Sequence, residues 1–224
     1  DIYVPGEAKS SEIVAIERSG ANAVRISGGR AAVTEACIEA VESGDAWYAS
    51  HAWNPAFFAG TMTFAFEVAA QRGWSAPEAV VLPVGHGTLF LGAYRGFTAL
   101  EQAGWIDRVP RLLGVQAAGV SPIADERHAD ISTERTNDLA DGIQIAEPVR
   151  QAQILEAIRS TDGDAIAIDA ESTAASLDAL HRAGFYVEPT SAAAVAGLER
   201  YRDRGLDGAV DVVVPLTGSG LKAF

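Results

Sequence analysis

Gly85-His86-Gly87-Thr88 carries the clearest chemistry in this chain. The four residues stand between an apolar β run, Ala79–Leu82 closed by Pro83, and a helical spacing of Leu91, Tyr94, Phe97 and Leu100. Glycines let the backbone come close to a ligand and let successive N–H groups point one way. The helix start adds partial positive charge, so a strand feeding a glycine turn and a helix makes an anion cradle. A phosphate is the expected occupant, held by the N–H groups of Gly85, His86, Gly87 and Thr88 without a lysine. The His86 side chain either contacts that anion or is simply an exposed loop histidine. Two further loops are small and hydroxyl-bearing: Glu188-Pro-Thr-Ser191, ahead of an alanine-rich helix, and Leu216-Thr-Gly-Ser-Gly220, near the C-terminus. Lysine is scarce: Lys9 and Lys222 are the only two among 17 basic residues. A nucleophilic lysine must be desolvated to be neutral, and both of these are expected to be solvated.

Strand-like and helical runs alternate behind these loops. Strands are predicted at Ile2–Val4, Ala23–Ile26, Ala79–Leu82, Leu112–Gln116, Ala165–Ile168, Tyr186–Val187 and Asp211–Pro215. Helices are predicted at Ser11–Arg18, Ala31–Glu42, 88–103, Val149–Arg159, Ser172–Ala183 and Ser191–Arg202, with one long helix from Asn54-Pro55 to Gly73. Asn as N-cap and Pro in the first turn mark the start of that helix. Such alternation implies an α/β fold, a mostly parallel sheet with helices on both faces. Ligands then sit at the carboxyl ends of the strands, where all three loops fall. Residues 121–147, polar and charged, read as an irregular surface excursion.

The net charge of −13 argues against nucleic acid as a partner. No apolar stretch approaches the length of a membrane span. The single cysteine, Cys37, lies among Ala32, Ala36 and Ala40 in a helical pattern, reads as packing, and fits a reducing cytoplasm. Thirty acidic residues spread along the chain point to salt adaptation; the competing explanation is codon bias toward arginine.

Six segments in order resemble the fold-type II pyridoxal-phosphate (PLP) enzymes, above all the threonine synthases: Tyr3-Val-Pro-Gly with Gly20-Ala-Asn-Ala-Val24; Asn54-Pro55 through Gly60-Thr-Met-Thr63 and Glu67; Pro83-Val-Gly-His-Gly-Thr88; Ala140-Asp-Gly-Ile143; Glu188-Pro-Thr-Ser-Ala192; and Leu216-Thr-Gly-Ser-Gly-Leu-Lys222. The resemblance implies the α/β fold of the tryptophan synthase β-subunit, with residues 1–45 a partial small lobe and 46–224 the large PLP-binding domain. It implies PLP as cofactor, a small amino-acid substrate, a cytoplasmic homodimer, and lyase or transferase chemistry at the β or γ carbon. Gly85, His86, Gly87, Thr88, Thr217 and Gly218 become the cofactor-binding set, and His51, Asn54, Asp141 and Ser191 candidate substrate contacts. No residue is assigned to a metal. Thr217 falls where the family bonds the pyridine nitrogen with a hydroxyl, although on the residues alone it reads as a turn hydroxyl.

Two departures qualify the resemblance. The family's Schiff-base lysine in an S-x-K segment, and the S-G-N loop after it, have no match here, so no catalytic residue is assigned and the chain is expected to be a fragment, inactive alone. The threonine-synthase pattern N-S-x-N-P-x-R is replaced by His51-Ala-Trp-Asn-Pro-Ala-Phe57, and Met62 stands where the family often has lysine. Phe57 cannot hold a phosphate, so a phosphorylated homoserine substrate is disfavoured and a dehydratase or β-replacement enzyme for a non-phosphorylated amino acid stays open. Two other readings compete: a non-catalytic PLP- or phosphate-binding α/β module, and a nucleotide-binding domain. G-H-G-T matches neither a Walker loop nor G-x-G-x-x-G, which disfavours the last.

Overall fold

A computed structural model describes all residues except 9, 45, 129–134, 207–210 and 223–224. Lys9 therefore lies outside the described residues. The chain divides into two compact units, Asp1–Ser50 and His51–Phe224.

In the first unit β1 (Ile2–Pro5) and β2 (Ala23–Ile26) pair in parallel, joined by α1 (Ser10–Arg18) and followed by α2 (Arg30–Glu42). In the second unit the order is α3 (Ala56–Thr61), α4 (Thr63–Gln71), β3 (Ala79–Pro83), α5 (Thr88–Gln102), β4 (Arg111–Ala117), α6 (Pro122–Arg127), α7 (Gln151–Ser160), β5 (Asp164–Ile168), α8 (Ala170–Arg182), α9 (Pro189–Asp203) and β6 (Val212–Val213). Its four strands form one sheet in the order β5-β4-β3-β6, every neighbouring pair parallel. Parallel strands buried on both faces read as unbroken apolar runs, with alternate residues serving opposite faces. Val80, Leu82 and Leu112 join Phe58, Phe90, Phe97, Ile154 and Ile158 on one side. Ala79, Val81, Leu113 and Val115 join Ala193, Ala196 and Tyr201 of α9 on the other. The Tyr201 hydroxyl donates to Gly114 O at 2.8 Å, and burial pushes its pKa up, so it stays a neutral donor.

Three sequence expectations need correction. The single helix from Asn54 to Gly73 is two, interrupted at Met62. The hydroxyls of Thr61 and Thr63, which flank the break, bond back to carbonyls of the preceding turn, Thr63 to Gly60 O at 2.6 Å and Thr61 to Phe58 O at 3.4 Å, a competition with the helical ladder. Tyr186–Val187 is no strand of a sheet; Val187 makes an isolated antiparallel bridge to Ser219. The described parts of 121–147 are no surface excursion. Ile123, Ala124, Asn137, Ala140 and Ile143 are buried, and α6 forms within the segment. Among the described residues no helix is long and apolar enough to cross a membrane.

Candidate functional site at the carboxyl ends of β3 and β6

β3 ends at Pro83, and Val84 extends the ladder by one bond, donating to Val115 O at 2.8 Å. Gly85-His86-Gly87 then turns the chain into α5. Gly87 caps the helix in the left-handed region, φ 78°, where a β-carbon is strained. A β-carbon built there would also stand 2.8 Å from Ile154 Cγ1 and closer still to Cδ1. Among the described residues, the N–H groups of Gly85, Gly87 and Thr88 meet no backbone carbonyl, and the first helical bond of the junction runs from Leu91 N to Gly87 O at 2.8 Å. Those of Gly87 and Thr88 are the orphan donors expected at a helix start, and Gly85 stands just ahead of it.

Buried polar side chains fix this turn. Gln116, fully buried in β4, accepts from Ile123 N at 2.9 Å and Ala124 N at 3.1 Å, and its amide nitrogen reaches Val84 O at 3.4 Å. Asn137 donates to Ile168 O and to Thr173 Oγ1, each at 2.8 Å, and accepts from Ala140 N at 3.3 Å. It thereby holds the short helical turn Asp141–Ile143 against the sheet end, with Gly142 O close to Gly85. Both are polar residues whose partners lie elsewhere in sequence. Gln116 had a visible signal, an amide inside the apolar run Leu112–Ala118, whereas Asn137 had none.

The two hydroxyl loops meet. Glu188 N donates to Gly218 O at 3.1 Å, Gly220 N to Tyr186 O at 3.0 Å, and Gly218 N to Ser191 Oγ at 2.9 Å. Ser191 Oγ lies 3.3 Å from Thr217 Oγ1 and 3.4 Å from Gly218 O. Ser191 is fully buried and Thr217 is exposed. A β-carbon on Gly218 would stand 2.6 Å from Glu188 Cγ, so a larger residue there requires the Glu188 side chain to move. A β-carbon built on Gly142 would likewise stand 2.9 Å from Thr190 Oγ1. The β3 loop, the 141–143 turn, the start of α9 and the 217–220 loop thus form a continuous chain of contacts, and Ser191 joins Thr217.

The 51–58 segment borders the β3 loop. The rings of His51 and His86 lie 5.8 Å apart edge to face, and His51 meets Phe57 at 6.4 Å. The Thr88 hydroxyl donates to His51 O at 3.4 Å. Arg150, unforeseen from sequence, clamps the segment: its guanidinium donates to Ala52 O at 2.8 Å and to Trp53 O, and stacks on buried Phe58, with Arg95 4.2 Å from the same ring. Asn54 spends its side-chain oxygen on Ala56 N at 2.9 Å, capping α3. Asp141 is exposed on its turn. The backbone of Lys222 is described, in a helical turn after the last loop.

The family pattern described as "Pyridoxal-phosphate dependent enzyme" matches residues 1–218. Threonine synthase of Methanocaldococcus jannaschii is 35% identical over 181 residues, covering 78% of this chain and 45% of that protein. Threonine synthase of Methanosarcina acetivorans is 35% identical over 187 residues, 81% of this chain and 46% of its own length. The chain therefore spans about half the length of these relatives. Among solved structures, maize serine racemase superposes with a TM-score of 0.77 at 17% identity, covering 96% of this chain and 64% of that one. Processed threonine deaminase isoform 2 of Solanum lycopersicum also gives 0.77, at 21% identity and 96% and 61% coverage. With the strand–glycine–helix junction and its parallel α/β sheet, the match across nearly its whole length makes this chain a member of the pyridoxal-phosphate dependent enzyme family.

Proposed function

We propose that this chain binds PLP in a threonine synthase-like enzyme, a lyase or transferase working at the β or γ carbon of an amino acid. The observation that carries the reading is the β3–α5 junction: N–H groups of Gly85, Gly87 and Thr88 without a backbone acceptor among the described residues, beside the start of a 15-residue helix. That donor set fits a phosphate dianion, which needs several N–H groups converging from one side. When bound, PLP supplies an electron sink for bonds broken at the substrate's α carbon. Gly85, His86, Gly87 and Thr88 hold the phosphate and so orient the ring. Thr217, with Gly218, meets the pyridine nitrogen. A hydroxyl there does not keep that nitrogen protonated, as a carboxylate would, and the milder sink suits elimination and replacement. His51, Asn54 and Asp141 border the substrate side. Phe57, 40% exposed, and buried Ala52 offer no anchor for a substrate phosphate, which favours a non-phosphorylated amino acid. The same reading extends to a cytoplasmic, salt-adapted homodimer, which sedimentation of the purified chain at low and molar salt would test.

Equilibrium dialysis of the chain against PLP and against pyridoxal, which lacks the phosphate, tests the reading. Charge-assisted N–H contacts contribute enough that PLP is expected to bind more than about tenfold tighter. Equal affinity for the two would overturn it.

A further inference from the structure

Ser191 is fully buried at the first turn of α9, and its hydroxyl has more partners than its single proton can serve. It accepts from Gly218 N at 2.9 Å. Its proton then has two possible acceptors, Thr217 Oγ1 at 3.3 Å and Gly218 O at 3.4 Å. Gly218 O already receives the N–H of Glu188 at 3.1 Å. Thr217 Oγ1 has no other hydrogen-bond partner among the described residues and is the nearer of the two. Either hydroxyl of the pair can be the donor, and Gly218 O keeps a second lone pair, so a ligand that accepts from Thr217 selects the arrangement in which Ser191 donates to Thr217 Oγ1. In that arrangement the Thr217 hydroxyl accepts a hydrogen bond, which polarises it into a better donor, and its own proton is free for the ligand. We propose that Ser191 is a positioning residue: it fixes the direction of the Thr217 hydroxyl, making it a preset donor to an unprotonated pyridine nitrogen.

This inference rests on the PLP-binding reading, and the experiment separates the two. The chain is titrated with PLP labelled with nitrogen-15 in the ring, as wild type, Ser191→Ala, Thr217→Val and the double variant. The readouts are the dissociation constant and the ring-nitrogen chemical shift. Losing one oriented hydrogen bond is expected to weaken PLP binding about fivefold in Ser191→Ala. The ring-nitrogen signal is expected to move toward that of a free pyridine. In the Thr217→Val background the same serine change is expected to leave the ring-nitrogen shift unchanged, because Ser191 reaches that nitrogen through Thr217, whereas loss of the Gly218 N bond is felt in both backgrounds. A merely structural serine would lower PLP affinity equally in both backgrounds and leave the ring-nitrogen shift at its wild-type value, and that result overturns the proposal. So does a ring-nitrogen shift in Ser191→Ala identical to wild type. Failure of the wild-type chain to bind PLP at all would instead remove the reading beneath it.

Discussion

Replacing Gly87 with alanine perturbs the phosphate loop in two separable ways. The residue sits at φ 78°, and an alanine in the left-handed region costs about 1–2 kcal/mol. The new β-carbon would also press on Ile154, 2.8 Å from Cγ1 and closer to Cδ1. Ile154 is fully buried among Phe90, Leu91 and Ile158, so it has little room to yield. Overpacking of this kind costs about 1–3 kcal/mol. Gly87→Ala should therefore lose about 2–5 kcal/mol, read as a fall of about 4–20 °C in melting temperature. Urea unfolding of Gly87→Ala, Ile154→Val and the double variant resolves the two parts. Ile154→Val alone should cost about 1 kcal/mol, and it removes the nearest clashing atom. In that background the alanine should cost less than in wild type, its backbone strain of about 1–2 kcal/mol plus what remains of the contact with Cγ1 at 2.8 Å. An alanine penalty below about 1 kcal/mol would refute the strain argument, and a penalty identical in both backgrounds would refute the packing argument.

Three other outcomes are expected. Asp169 caps α8 by accepting from Ser172 N at 2.8 Å. Burial works to raise its pKa, but the Ser172 bonds and the Arg135 guanidinium outweigh that and hold it below the usual range. A depressed carboxylate stabilises the fold above its unfolded pKa, near 3.9, and loses that contribution as pH falls through the folded value. The stability gap between wild type and Asp169→Asn, which keeps the cap but not the charge, should therefore shrink below about pH 4 in urea titrations; a gap independent of pH would contradict this. With 30 acidic residues and a net charge of −13, self-repulsion should be relieved by screening, so the melting temperature should climb into molar potassium chloride; a flat or falling curve would favour codon bias. Finally, the PLP-loaded chain should bind O-phosphohomoserine weakly, and Phe57→Arg, which supplies a bidentate phosphate partner, should tighten it several-fold by calorimetry, whereas tight binding by the unaltered chain would mean that other residues hold that phosphate.

The strands and long helices were legible because their signals are local. Ala79–Pro83 is an apolar run, α5 repeats its apolar residues at helical spacing, and glycine marks the turn between them. The loops after β3 and β6 were legible as polar punctuation beyond strands, whereas Glu188–Ser191 follows Val187, which makes only an isolated bridge. The connections among the loops were not legible. Ser191 and Thr217 lie 26 residues apart, and nothing in either segment announces that one hydroxyl serves the other. Arg150 reaches carbonyls 98 and 97 residues away, and carbonyl acceptors leave no trace in side-chain identity. Residues 135–147 read as surface because they are polar, yet Asn137 is buried by satisfying backbone groups of β5 and Ala140. The break at Met62 was hidden because its own dihedrals stay helical, φ −60° and ψ −28°.

The proposed PLP site requires the phosphate to lie on the N–H groups of Gly85 to Thr88. Amide nitrogen-15 NMR of the assigned chain, titrated with PLP and separately with inorganic phosphate, tests it most directly. Both ligands are expected to move the amide signals of Gly85, His86, Gly87 and Thr88 more than any others, with PLP alone also moving Thr217 and Gly218. Unchanged amides in that loop at saturating PLP, with the largest shifts elsewhere in the chain, would contradict it.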